Sequence, residues 1–129
     1  MTKARKALLR TCAAAAAIGG ATIAVAQVAA PADFAAQVER GRIAYAHECA
    51  ACHGAAGEGG VGPALAGLSG SEVPLQDGTT VLADDAYLER SIKDPNADKV
   101  DGYNVPMPQS NLSDAEIATI LDYLHEIGA

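Results

Sequence analysis

The sequence predicts an all-α domain, a small orthogonal bundle of helices with at most one minor β-hairpin near residues 73–82. Three observations carry that prediction. Apolar residues recur at helical spacing in three separated stretches, each opened by a good capping residue: Asp33, Asp84 and Ser113. The stretches between them are rich in glycine or proline, with no internal repeat and no linker long enough to divide domains. The only segment that reads as strand is short and contains Pro74, which confines it to an edge.

The first twenty-six residues read as an export signal rather than as part of the fold. Lys3, Arg5, Lys6 and Arg10 form a basic start, an uncharged Ala-rich run follows, and Ala24-Val25-Ala26 has the small-x-small form that signal peptidase accepts. Cleavage before Gln27 is expected, leaving 27–129 as one domain. The alternative is an uncleaved anchor, since Thr11 to Ala30 is long enough to span a bilayer, although alanine, glycine and threonine make it a weak one.

Asp33 to about Glu48 then reads as the first helix, with Asp33 as N-cap and Phe34, Val38 and Tyr45 near one face. Gly41 interrupts it at a cost of about 1 kcal/mol relative to alanine, which points to close approach by another helix. From Gly54 to Gly70 the chain holds seven glycines, a composition that suits a loop wrapped around an obstacle. Asp77-Gly78 is a turn signal between short strands within 73–82. Asp84 caps a short helix that runs to about Ile92 and is ended by Asp94-Pro95. Asn96 to Asn111 is loop. Ser113 with Glu116 makes a capping box for the last helix, Leu112 with Ile117 a hydrophobic staple, and Ile117, Ile120, Leu121, Leu124 and Ile127 its buried stripe.

Within this frame Cys49-Ala50-Ala51-Cys52-His53 carries the chemistry. C-x-x-C-H is the attachment signature of a c-type haem: two thiols one helical turn apart form thioethers to the vinyl groups, and the adjoining imidazole reaches the iron. A thioredoxin-like pair would sit in a βαβ context, and a structural zinc site needs about four protein ligands; the sequence offers neither. The expected cofactor is therefore one haem c, held covalently through Cys49 and Cys52 with His53 as an iron ligand. Composition agrees. The chain has no Trp and one Phe, too few large side chains for an ordinary core, and Cys49 and Cys52 are the only cysteines after the signal, so a macrocycle rather than a disulfide must staple the fold.

The sixth position on the iron falls to Met107, the only methionine after the signal, set in Val105-Pro106-Met107-Pro108 where prolines stiffen the loop. The competing use of a lone methionine as core filler suits a polar, proline-bracketed loop poorly. His47 lies too near the tether to reach the far face, and His125 sits among acidic residues of the last helix as a surface side chain.

These residues resemble those of class I cytochromes c over nearly all of 33–129. Gly41 and Tyr45 before C-x-x-C-H match that family's first helix, which crosses a C-terminal helix at right angles. Gly62-Pro63-Ala64-Leu65 is similar to its G-P-x-L segment. The resemblance implies that the Pro63 carbonyl receives the Nδ1 proton of His53 and that Leu65 packs on the ring. The second half, with Gly78-Thr79-Thr80-Val81, Asp84-Asp85-Ala86-Tyr87-Leu88, Ser91-Ile92-Lys93-Asp94-Pro95 and Gly102-Tyr103 before Met107-Pro108, is similar to the cytochrome c domain fused to subunit II of some haem-copper oxidases, without that subunit's copper domain or membrane helices.

The expected function is electron transfer in the periplasm, not enzymatic catalysis, by a monomeric or weakly associating carrier. After removal of 1–26 five basic residues face sixteen carboxylates, a formal charge of −11. Such a surface disfavours nucleic acid and anionic lipid and suits redox protein partners that present a basic patch. Membrane contact is expected only if the N-terminus is uncleaved. The alternatives are the haem subunit of a larger dehydrogenase or oxidase complex and a haem ligand sensor or peroxidase, the last lacking a distal acid/base histidine.

Overall fold

The computed structural model describes residues 31–127; the expected signal segment 1–26 lies outside the described residues. The elements in chain order are α1 (Pro31–Glu48), α2 (Ala50–His53), β1 (Glu72–Pro74), β2 (Thr80–Leu82), α3 (Asp85–Lys93) and α4 (Asp114–Glu126). The domain is all-α in character, with one two-stranded antiparallel sheet.

α1 begins two residues earlier than expected, so Asp33 is not its N-cap. Asp33 falls in the first turn, where its charge complements the helix dipole. Phe34 is a second correction. It is 44 % exposed, Val38 is half-buried and Tyr45 is buried at 1 % exposure. The contact of α1 with α4 is centred on Gly41, two turns beyond Phe34. A Cβ built on Gly41 would lie 1.8 Å from the Thr119 carbonyl oxygen and 3.0 Å from the Tyr123 Cβ, so the backbones of the two helices touch where glycine leaves room. One turn on, the Tyr45 and Tyr123 rings meet with centroids 5.2 Å apart, a separation typical of attractive aromatic pairs.

α4 forms as its signals require. Ser113 accepts from the Glu116 N–H, and the Glu116 carboxylate accepts from the Ser113 N–H at 2.8 Å, the reciprocal capping box. Ile117, Ile120, Leu121 and Leu124 are buried, while Ile127 and Leu112 pack at the edge of the core. α3 is capped by Asp84, whose side chain accepts from the Tyr87 N–H at 2.8 Å, and it buries Tyr87, Leu88 and Ile92. In the hairpin Val73 pairs with Val81 and Pro74 with Thr80. Pro74 is tolerated on this edge, and its carbonyl accepts from the Asp101 N–H at 2.9 Å. An isolated bridge between Leu75 and Val100 ties the loop after α3 to the hairpin. Among the described residues no helix is long and apolar enough to cross a membrane.

Candidate functional site

The site begins where α1 ends. The Cys49 N–H donates to the Tyr45 carbonyl at 2.9 Å and the His53 N–H to the Cys49 carbonyl at 3.0 Å, so the pentapeptide forms the single turn α2 and sets Cys49, Cys52 and His53 close together. The glycine-rich chain then folds back on this turn. The Gly59 N–H donates to the His53 carbonyl at 2.8 Å, and the Gly62 N–H to the Cys52 carbonyl at 2.9 Å. Tyr45 braces the same corner, its hydroxyl donating to the Gly54 carbonyl at 2.8 Å. Burial pushes the Tyr45 phenol up to about 12, so it stays a donor at any ordinary pH.

His53 is buried, and its Nδ1 lies 2.8 Å from the Pro63 carbonyl oxygen. A carbonyl can only accept, so Nδ1 carries a proton, and in the neutral ring Nε2 then keeps its lone pair. Gly62 is what allows this geometry: a Cβ there would stand 2.7 Å from His53 Cε1 and 2.9 Å from Nδ1. Only a residue without a side chain lets the backbone pass so near the ring.

Nε2 belongs to a side chain that lines a cavity of about 400 Å³, within the range of about 300–1,000 Å³ usual for cofactor sites. Cys49, Cys52, Pro63 and Leu65 line it from the pentapeptide side of the sequence, and Val105, Pro106, Met107 and Pro108 from the loop before α4. Val73 from β1, Leu88 and Ile92 from α3, and Ile120 and Leu124 from α4 make the rest largely apolar. Both thiols are free and half-buried. Burial, and to a smaller extent the Glu48 carboxylate, push the Cys49 thiol up to about 11, so it is neutral at physiological pH. Among the described residues no group of three or more His, Cys, Asp or Glu side chains is placed to hold a metal ion. Two thiols, a tautomer-fixed imidazole and a thioether around one apolar cavity fit a planar, iron-centred macrocycle, and every buried side-chain polar atom described already has a partner.

Of the other sequence candidates, His47 is exposed on α1, away from the cavity lining. His125 is also exposed, but it joins elements: Nδ1 lies 2.7 Å from Ser69 Oγ and Nε2 2.9 Å from Asp85 Oδ1 at the start of α3. Sequence reasoning passed over Gly62 as a separate contributor, although it stands beside Pro63 in the segment already singled out. It also passed over Gln76, which lines the cavity, and quoted Tyr103 in the resemblance without giving it a place there.

Fold and cavity together define a small helical haem-binding domain. The profile of the cytochrome c family matches residues 38–128, and the chain belongs to that family. Its members bind haem c covalently and use it to transfer electrons, and the match supports the class I assignment. No curated protein matches the chain.

Proposed function

We propose that this protein is an exported, periplasmic one-electron carrier in which Cys49 and Cys52 tether the haem while His53 and Met107 hold the iron from its two faces. The observation that carries the proposal is that the His53 imidazole and the Met107 thioether line one cavity together with both thiols. When bound, the haem supplies a reversible couple between ferrous and ferric iron. The Pro63 carbonyl, by holding the Nδ1 proton of His53 at 2.8 Å, fixes the ring's tautomer and orientation and makes Nε2 the donor atom. Met107 offers a soft thioether that favours the reduced state and raises the potential. Leu65 and the other apolar residues of the cavity lining would keep water from the bound group.

An electron carrier is favoured over a sensor or peroxidase. Among the described residues the cavity lining contains no histidine beyond His53, and the Asp98 carboxylate that reaches it is engaged by Arg90 at 2.8 Å. Redox proteins presenting a basic patch are the proposed partners. Of the acidic residues near the ligand loop and α3, Asp84 caps α3, Asp85 meets His125 and Asp98 takes Arg90. The Asp101 carboxylate, which accepts only from the adjacent Gly102 N–H, and the exposed Asp94 remain to face a partner.

The deciding experiment is the near-infrared spectrum of the oxidised protein. A sulfur-to-iron charge-transfer band is expected, and Met107→Ala should abolish it and open the reduced iron to carbon monoxide. Ready carbon monoxide binding by the unsubstituted protein at neutral pH would favour the sensor reading instead.

A further inference from the structure

The loop that carries Met107 connects α3 to α4, and its two ends are held in different ways. The first part adds to the hairpin edge. The Gln76 N–H donates to the Lys99 carbonyl at 2.8 Å, the Asp101 N–H donates to the Pro74 carbonyl at 2.9 Å, and Leu75 bridges to Val100. The Gln76 side chain extends this seam. Its Nε2 donates to the Tyr103 carbonyl at 2.7 Å and also lies 3.4 Å from the Val100 carbonyl. Residues 104–108 then make no hydrogen bond among the described residues. The chain is caught again at Gln109, whose Nε2 donates to the Lys93 carbonyl at 2.7 Å. That carbonyl is in the last turn of α3, where helix geometry provides no partner. Lys93 secures the same corner through its ammonium, 2.5 Å from Glu89 and 2.7 Å from Asp114 at the start of α4.

We propose that Gln76 and Gln109 are positioning residues for Met107, two carboxamide clamps that bound the segment 104–108 and hold the thioether in the cavity. The inference rests on the reading of Met107 as an iron ligand. Neither clamp hydrogen-bonds His53 or Met107, although Gln76 also lines the cavity. Each acts by limiting the conformations open to the span between them, and Pro106 and Pro108 stiffen what is left. A thioether is a weak ligand, so the equilibrium between the docked loop and the released loop decides whether an added ligand can take its place. Freeing either end raises the released population.

The test uses the haem-loaded protein and its Gln76→Leu, Gln109→Leu and double variants; leucine keeps bulk, removes the donor and introduces no competing iron ligand. Imidazole is titrated into the oxidised form while the sulfur-to-iron band is followed. Loss of one exposed hydrogen bond is expected to raise the apparent imidazole affinity about fivefold in each single variant, and the double variant should gain about twenty-five-fold, since the clamps share no partner. A merely structural role would lower the urea midpoint without changing imidazole affinity under native conditions. Affinities within twofold of the unsubstituted protein in all three variants, with the band present, would overturn the clamps and leave Met107 as ligand. Absence of the band from the unsubstituted protein would overturn both.

Discussion

Gly41→Ala probes the contact on which the bundle is built. A Cβ at this position would stand 1.8 Å from the Thr119 carbonyl oxygen and 2.6 Å from its carbonyl carbon, whereas ordinary contact begins at 3.4 Å. The obstruction is helix backbone, so no rotamer change relieves it, and α1 and α4 must separate by about 1.6 Å. Overpacking a tight core costs about 1–3 kcal/mol, and a clash with backbone belongs at or above the upper end. Alanine returns about 1 kcal/mol of helix propensity. The net expectation is a loss of about 2–3 kcal/mol, enlarged by any loosening of the Tyr45–Tyr123 pair. Urea unfolding of the haem-loaded protein, followed by far-ultraviolet circular dichroism, should show the midpoint fall by about 1–2 M for a slope typical of small domains. If Gly41→Ala instead stabilised the protein by about 1 kcal/mol, propensity alone would be acting and the close crossing of α1 and α4 would be wrong.

Three further expectations concern the site and its surroundings. Gly62→Ala should drive the His53 ring from the Pro63 carbonyl, so the strongly shifted Nδ1–H proton resonance of the reduced protein should disappear or exchange faster; an unchanged resonance would show that Gly62 does not set the ring. Glu116, Glu58 and Asp77 are held below their ordinary values, chiefly by hydrogen bonds from Ser113, from loop N–H groups and from Thr79 respectively. Their stabilising effect is complete above those values and is lost as pH falls through the lower folded ones. Glu116→Gln should accordingly flatten the decline of urea midpoint below pH 4.5, its ordinary value, and an unaltered slope would count against the capping box as a source of acid sensitivity. Because the cavity sits among the largest side chains of the core, the Cys49→Ala/Cys52→Ala variant should be largely unfolded by circular dichroism when prepared without haem; a native-like helical spectrum would show that the polypeptide folds unaided.

The parts of the fold governed by local chemistry were legible in the sequence. α4 could be read from Ser113, Glu116 and its apolar stripe, α3 from Asp84 and the terminating Pro95, and the hairpin from Asp77-Gly78, because caps and turns act over a few residues. Gly41 was legible as a close approach, though not against which backbone atom. Where tertiary packing decides, the reading failed. Phe34 shares its helical spacing with Val38 and Tyr45, yet it is 44 % exposed, because the packing of α1 on α4 centres two turns further on at Gly41, and α1 already includes Pro31, so Asp33 lies inside the helix. Within the site, Cys49, Cys52 and His53 are adjacent in sequence and Met107 is the only methionine after residue 26, so composition led to them. Gln76 and Gln109 were invisible, since their meaning lies in carbonyls at Tyr103 and Lys93 that only the folded chain brings within reach.

The attachment of the haem is the central claim, and it has a direct measurement. The haem-loaded protein is extracted with acidified acetone, denatured and digested, and the peptide containing Cys49 to His53 is weighed. The account predicts a single peptide carrying the mass of one haem, with neither thiol free to alkylate. Haem recovered in the acetone, with Cys49 and Cys52 both alkylated, would contradict it.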